Sequence, residues 1–448
     1  MNGFLTLEKL KQYRPKRDTY FVFGDPIEHS LSPQLHHCYF SLAHLDCDYL
    51  AVKINPAQLQ EAVGCVKQYA KGVNLTIPLK ESVLPLLNEI SEQAAKIGAV
   101  NTLSFQNGKI KGYNTDTDGI RLALRQAGVT MQGKRVLILG NGGAAKAMLS
   151  AAEEVTDQIT IAGRNSNKIS AFCANSCGKP VLLSDVTGHF DLVLNGTSVG
   201  MGTQIAGSPL PFSALKDCDF LFDAIYNPIC TNFLTLGKLW GKEGINGLWM
   251  LIYQGLKSQK IWGNPVEESW ASQIFEHLKG SFTESRKNII LTGFMGSGKT
   301  TVGKEISRLT GMPFYDTDLL LEEITGKTIS HIFKTHGEDF FRRKEAALTK
   351  AISSLHGCVI ATGGGMVKNP DNVLHLKTNG TVFFLHPPLE EIKRRLRGDA
   401  SRPLLQDPHQ LKSLYEERLA DYQSSCDSMI SSTDLPESVG EILAIFHP

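Results

Sequence analysis

Residues 288–309, NIILTGFMGSGKTTVGKEISRL, leave the backbone few choices. A short apolar run reads as a strand, a glycine turn follows, and a helical stretch comes next. Gly293 to Thr300 fits G-x-x-x-x-G-K-[ST] in full. In such a loop the glycines let successive backbone N–H groups point inward at phosphate oxygens, and the helix N-terminus adds its partial positive charge. Gly293, Gly296 and Gly298 shape the cradle, and Thr301 lies in the first helical turn. Lys299 would reach the β- and γ-phosphates, and the Thr300 hydroxyl would ligate Mg²⁺.

The same strand–turn–helix grammar appears at 134-KRVLILGNGGAAKAMLSAA-152 and, less completely, at 20-YFVFGDPIEHS-30. Further apolar strands are read at 158–163, 191–196, 219–226, 357–364 and 380–386. Strands alternating with helices predict α/β units with parallel sheets. A chain of 448 residues has room for two or three such domains. Two separate phosphate cradles in one polypeptide imply two nucleotide cofactors.

Lys plus Arg number 46 against 45 for Asp plus Glu, which gives no electrostatic footprint for nucleic acid or an anionic membrane. No apolar run reaches the ~20 residues needed to span a bilayer. The first twenty residues lack a secretory apolar core and are basic and short of acids; they read as an ordinary leading segment, with a short targeting piece as the alternative. The nine cysteines are scattered without a CxxC pair, which predicts reduced thiols in a cytoplasmic protein. A helix-like stretch over 265–280 ends in glycine, and polar, aperiodic 281–287 reads as a linker. Seven residues span at most about 23 Å, so the parts it joins are expected to be neighbours.

After the phosphate loop, 314-FYDTDLLLEE-323 brings Asp316 and Asp318 to the end of a strand-like piece. Alternate strand residues face one way, so both carboxylates could point at the loop. Asp316 suits the metal and Asp318 an incoming hydroxyl; a helix N-cap is a compatible reading, since Asp318 opens a Leu-rich run. Then come 337-GEDFFRRKE-345, the triple glycine Gly363–Gly365 and 401-SRPLLQ-406. The last sets Arg402 on a polar segment of the kind that closes over transferring phosphates. In this order these motifs make residues 288–448 resemble the shikimate kinases, small P-loop kinases of the nucleoside-monophosphate-kinase type. The resemblance implies that ATP and Mg²⁺ are used. It also implies that Lys299, Asp318 and Arg402 serve catalysis, and that Asp318, Arg342, Gly364, Gly365 and Arg418 hold shikimate. Arg342 and Arg418 would pair its carboxylate through forked donors. Arg418 is four residues before Tyr422, as the family motif asks; a rival alignment on Tyr415 puts Leu411 at that position. For each Arg the alternative is a solvated surface charge, and Arg343 keeps that reading.

The turn formed by Gly140, Gly142, Gly143 and Ala144 lacks the third glycine of G-x-G-x-x-G, having Ala145 instead. No acid follows the next strand, in 158-QITIAGRNSNK-168. Arg164 and Lys168 stand where a carboxylate would otherwise bind a ribose 2′-hydroxyl, and cations there suit a 2′-phosphate, hence NADP(H). Exposed loop cations are the alternative. Context comes from 24-GDPIEHSLSPQLHH-37, 72-GVNLTIPLK-80, 98-GAVNT-102, 112-GYNTDTDG-119, 195-NGTSVGM-201, 223-DAIYNPICT-231 and 246-NGLWMLIYQG-255. This series resembles the shikimate dehydrogenases over roughly 20–280. The resemblance implies that Lys80 and Asp116 are the catalytic pair and that Ser30, Ser32, Thr76, Asn101, Tyr226 and Gln254 contact 3-dehydroshikimate. It also implies a two-domain α/β dehydrogenase. The substrate domain would comprise 1–117 with 246–280, and the Rossmann domain 118–245. Departures are Gly163 for the usual Asn, Asn165 for the usual Thr, His37 for the usual Asn and Asn141 for the usual Ala. The first two cost side-chain hydrogen bonds at the adenosine ribose and leave NAD use open.

The expectation is a bifunctional α/β protein, a two-domain dehydrogenase followed by a P-loop kinase domain at 288–448. Its partners would be the small molecules 3-dehydroshikimate and shikimate, with no nucleic acid and no membrane; the oligomeric state stays open. The alternatives are a quinate/shikimate dehydrogenase of broader specificity fused to a kinase, and a chain with one half kept only as a binding module.

Overall fold

The computed structural model describes residues 4–28, 30–279, 287–396 and 408–446. The linker residues 281–286 and the Arg402 segment lie outside the described residues. Among the described residues no helix is long and apolar enough to cross a membrane. All nine cysteines are free thiols.

The chain divides into two compact units, Met1–Ser198 with Lys216–Ile229 and Glu243–Thr283, and Val199–Leu215 with Cys230–Lys242 and Glu284–Pro448. Sequence reading kept 118–245 together; here 199–215 and 230–242 belong to the second unit. The helix expected over 265–280 begins only at Trp270, because the chain turns after Pro265, whose carbonyl accepts the Tyr39 hydroxyl.

The first unit holds two sheets. One has seven strands among the described residues, ordered Leu5–Thr6, Cys47–Lys53, Asp18–Gly24, Ala70–Leu75, Thr102–Gln106, Lys109–Tyr113, Glu89–Ile90. Its first four strands run parallel, as the βα pattern predicts. Thr102–Gln106 pairs antiparallel with both Ala70–Leu75 and Lys109–Tyr113. That hairpin turns at Asn107 and Gly108, both with positive φ, the backbone an Asn-Gly turn supplies at little cost. The second sheet has six parallel strands among the described residues, ordered along the chain 3-2-1-4-5-6. Order reverses between Val136–Leu139 and Phe190–Asn195, which opens a crevice at their carboxyl ends. Val136, Ile138, Leu192 and Leu194 are buried in its core.

Among the described residues the second unit is built on five parallel strands, ordered Phe314–Asp316, Val359–Ala361, Asn288–Thr292, Gly380–Leu385, Ser428–Ile430. The phosphate loop follows the central strand. Helix Asn232–Leu239, capped by the Thr231 hydroxyl, packs on the long helix Ile329–Ile352. Asn232 is fully buried. Its amide donates to the carbonyls of Ala206 (2.8 Å) and His356 (3.1 Å), and its Oδ1 accepts the His356 N–H (2.9 Å). Substituting Asn232→Ala strands these groups, and about 2–3 kcal/mol of this unit's stability is expected to go. Urea unfolding of the full chain with hydrogen exchange at the His356 amide checks it; a loss below about 1 kcal/mol would count against the assignment.

Candidate functional site

In the first unit a buried network closes around Lys80 and Asp116. Lys80 follows strand Ala70–Leu75 in a short helical turn, Leu79–Ser82, and Asp116 opens helix Asp116–Gln126. Lys80 Nζ lies 2.5 Å from Asp116 Oδ2, with side chains 20% and 6% exposed. The other Asp116 oxygen accepts from Asn101 Nδ2 at 2.8 Å, and its backbone N–H donates to Asn114 Oδ1. Asn101 Nδ2 also reaches Thr115 Oγ1 (2.9 Å) and Gln254 Oε1 (3.4 Å). Both carboxylate oxygens of Asp116 are thus engaged, which fixes where the ammonium points. Thr115 and Ser258, which joins the same network, carry no site signal of their own; Thr115 lies inside the motif 112–119 and Ser258 just past 246–255, and only the fold brings Ser258 in.

The remaining expected contacts stand on neighbouring elements of this unit. Thr76 precedes Lys80 by one turn, its methyl so close to Gly24 that a Cβ there would sit 2.3 Å away. Ser30 Oγ accepts the Ser32 N–H. Burial raises the pKa of the Tyr226 hydroxyl, against a hydrogen bond from the backbone of Leu31 between those serines. His36 is buried against Tyr49 and Gln259, and burial pushes its pKa down to about 3, so it stays neutral. The departing residue His37 accepts the Tyr49 N–H on a strand edge.

The glycine turn lies next to this pair. A Cβ on Gly143 would be 3.7 Å from Lys80 Cδ, and one on Gly142 would meet nothing within 4 Å. Gly140 has φ +103°, and a side chain there would strike Thr197. Gly142 caps helix Gly143–Glu153 with no side-chain hydrogen bond, and Ala144 stands in its first turn. This opening, with free space over the helix N-terminus, fits a dinucleotide pyrophosphate. Arg164 and Lys168 are exposed, and neither makes an ion pair among the described residues. Asn165 caps the helix Ser166–Cys173 through the Lys168 N–H, which places its side chain at the start of that helix.

In the second unit the phosphate loop has positive φ at Gly293 (147°), Gly296 (76°) and Gly298 (99°). Lys299 Nζ bends over the loop to the carbonyls of Gly293 (2.8 Å) and Phe294 (3.1 Å). Thr300 Oγ1 donates to Asp316 Oδ2 at 2.9 Å, an adjacent hydroxyl and carboxylate that fit a hard cation such as Mg²⁺. Thr301 is exposed in the first helical turn. Asp316 ends its strand and caps helix Thr317–Thr325 with its other oxygen, so Asp318 is helical rather than a second strand residue. The helix instead carries Asp318 against Gly363, where a Cβ would stand 2.5 Å from its Oδ1. Arg395 was not foreseen. It donates to the Ser297 carbonyl at 3.1 Å and is held by Glu391, whose carboxyl the Arg394 and Arg395 guanidiniums hold down at about 2.

Gly364 and Gly365 open the floor between two arginines. Arg418 donates to the Gly364 carbonyl, which also accepts from the Tyr422 hydroxyl. Leu411 is buried in an apolar core, so Arg418 and not the rival position reaches the site. A Cβ on Gly365 would meet Arg342 Nη1 at 2.4 Å. Arg342 pairs with Glu345 (2.8 Å) and Glu338 (2.9 Å), carboxylates 2% and 59% exposed. Burial pushes the Glu345 carboxyl up, and Arg342 pulls it part of the way back. Glu345 Oε1 and Arg418 Nε are buried without a hydrogen-bond partner, polar groups facing a site that can still receive one.

Known proteins carry the same features. Residues 22–103 match the family model described as the shikimate dehydrogenase substrate binding domain. A curated shikimate dehydrogenase (NADP(+)) of Methanococcoides burtonii is 37% identical over 246 residues, 54% of this chain and 90% of the relative. The chain belongs to the shikimate dehydrogenase family. Residues 295–446 match the family model described as shikimate kinase, so a shikimate kinase domain is joined to the dehydrogenase. Among solved structures, a chorismate mutase/shikimate 5-dehydrogenase fusion from Clostridium acetobutylicum is 32% identical with a TM-score of 0.56, over 60% of this chain and 99% of that one. A shikimate 5-dehydrogenase from Thermus thermophilus, in complex with NADP(H) and shikimate, is 31% identical with a TM-score of 0.53, over 58% and 98%.

Proposed function

We propose that this chain performs two consecutive reactions, NADPH-dependent reduction of 3-dehydroshikimate to shikimate and ATP-dependent phosphorylation of shikimate to shikimate 3-phosphate. The observation that carries the reading is one polypeptide holding both the Lys80–Asp116 pair beside a dinucleotide turn and the Lys299–Thr300–Asp316 cradle beside Asp318, Arg342 and Arg418. The working domains are 1–117 with 246–280 for the first substrate, 118–245 without 199–215 and 230–242 for NADP(H), and 288–448 for the kinase with those two segments packed in its unit, joined by 281–287. Free thiols fit a cytoplasmic setting.

For the reduction, NADPH supplies the hydride when bound. Lys80 holds positive charge where the carbonyl oxygen becomes an alkoxide and gives it the proton. Asp116, fixed by Asn101, keeps the ammonium aimed. Ser30, Ser32, Thr76, Tyr226 and Gln254 orient the polyhydroxylated ring. Arg164 and Lys168 take the 2′-phosphate, and Arg164→Ala is expected to raise the KM for NADPH about tenfold while moving that for NADH less than about twofold. Equal shifts for both cofactors would remove Arg164 from that role.

For the phosphorylation, MgATP supplies the transferred phosphoryl group when bound. Lys299, Gly293, Gly296, Gly298, Thr300 and Thr301 would hold the phosphates and Thr300 and Asp316 the metal, and Arg402, outside the described residues, is assigned to the transferred phosphoryl group by its motif. Asp318 orients the 3-hydroxyl and takes its proton. Arg418 and Arg342 receive the carboxylate, with Gly364 and Gly365 beneath. The ligand reaches Arg342 by displacing exposed Glu338, not buried Glu345. The test is one pot: purified protein with 3-dehydroshikimate, NADPH, ATP and Mg²⁺, products read by mass. Shikimate 3-phosphate as end product bears the reading out; accumulation of shikimate alone overturns the kinase half, and no turnover overturns both.

A further inference from the structure

Away from the phosphate loop, a groove of about 400 Å³ lies in the second unit between helix Asn232–Leu239 and the helices Thr317–Thr325 and Ile329–Ile352. That volume is within the roughly 300–1,000 Å³ of small-molecule sites. Leu321, Leu348 and Phe340 give it an apolar floor, and Lys238, Lys327 and Lys344 ring it. Among the described residues no Asp or Glu lines it. None of these three lysines makes an ion pair among the described residues. Lys344 lies 5.7 Å from the Phe340 ring centroid and His336 packs on the same ring, so one of the three charges stands over an aromatic face. Three lysines without ion pairs lining a groove with an apolar, aromatic floor match a ligand with a flat ring and a negative group.

The groove backs onto the shikimate-binding residues. Residues three or four apart share a helix face, so Phe340, Lys344 and Leu348 form one stripe of the helix after Gly337, and His336 reaches the groove from before it. Glu338, Arg342 and Glu345 form the opposite one. The helix is broken ahead of both stripes at Gly337 (φ 80°, ψ 172°), with His336 on one side of the kink and Glu338 on the other. A ligand bridging His336 and Phe340 spans that kink, and Glu338, the residue directly after it, pairs with Arg342 at 2.9 Å.

We propose that this groove is an effector site for a small aromatic carboxylate, whose occupancy alters shikimate affinity through the Gly337 kink. The site itself stands on the groove's geometry; the effect on shikimate rests on the kinase reading above. The probe is indole-3-propionate, with its neutral amide and indole-3-ethylphosphonate for comparison, titrated by calorimetry into the full chain without ATP. The carboxylate is expected to bind saturably, about tenfold more tightly than the amide, and not to be displaced by shikimate. Lys344→Glu and Lys238→Glu, both exposed and outside the catalytic machinery, are expected to weaken it at least about tenfold with basal kinase and dehydrogenase rates within about twofold. In the unsubstituted protein the probe shifts the shikimate KM by about threefold or more, and in Lys344→Glu it does not. Absent or unsaturable binding, equal binding by Lys344→Glu, tighter binding of the amide or the phosphonate, or displacement by shikimate each overturns the proposal. Binding without a KM shift overturns the coupling alone, and because calorimetry needs no turnover, failure of the kinase reading is seen separately.

Discussion

Lys80→Met lowers dehydrogenase turnover by roughly 10³-fold, leaves the KM for 3-dehydroshikimate within a few-fold, and leaves the kinase rate untouched. The size follows from what the ammonium does. Proton donation and charge stabilisation at a developing alkoxide both depend on it, and no second cation is bonded to Asp116 among the described residues. Methionine keeps the length and most of the volume, so Asn101, Thr115 and Gln254 retain their mutual bonds. Asp116→Asn should lose less, about 10²-fold, because the lysine remains but its aim is weakened. A stopped-flow measurement on the full chain, with the kinase assayed in the same preparation, gives both numbers. More than a tenth of the original turnover in Lys80→Met would remove Lys80 from the chemistry.

Motif spacing made the two centres legible because short loops carry them. The phosphate loop, the turn at Gly140 to Gly143 and the Gly363–Gly365 floor are local sequences whose backbone demands only glycine meets. Choice between Arg418 and Leu411 was harder, and burial decides it: an apolar side chain lies in the core and the guanidinium faces the site. The hairpin at Asn107-Gly108 had a legible signal, a dipeptide suited to paired positive φ, that the alternation of strands and helices masked. Period two suits Asp316 and Asp318 on a strand as well as a helix N-cap suits this stretch; the cap reading holds, with Asp316 as the capping residue and Asp318 inside the helix. Membership of 199–215 and 230–242 in the second unit had no local signal at all. It depends on Asn232 meeting His356, residues 124 apart along the chain. Arg395 likewise sits in a charged helical run, and only the fold brings it to the Ser297 carbonyl.

Arg342 has two roles that sequence alone cannot separate, and a pair of variants can. Arg342→Ala is expected to raise the shikimate KM about 10²-fold, through loss of a charge-assisted donor pair, and to cost the second unit about 3 kcal/mol. The stability loss comes from Glu345, whose carboxylate is 2% exposed, has one oxygen without a partner, and keeps Arg342 as its cation. Burial already raises the pKa of this carboxyl above its ordinary 4.5, and the guanidinium opposes that rise. Without Arg342 the folded-state value climbs further above the unfolded one. For an acid shifted that way, stability is fully present below the unfolded pKa and is lost as pH rises through the folded pKa. The deficit of Arg342→Ala should therefore be largest near pH 8 and shrink as pH falls toward the usual carboxylate range. Adding Glu345→Gln removes the charge that was stranded, so the double variant should regain most of the lost stability and lose the pH dependence. Its shikimate KM should stay as poor as that of Arg342→Ala, because no cation has returned. Denaturant unfolding at several pH values, beside kinase kinetics, reads both quantities. If the double variant recovers affinity along with stability, Arg342 is a scaffold residue and Arg418 alone binds the carboxylate. If it recovers neither, Glu345 is needed as an anion in its own right, and the carboxyl, not the guanidinium, organises this side of the site.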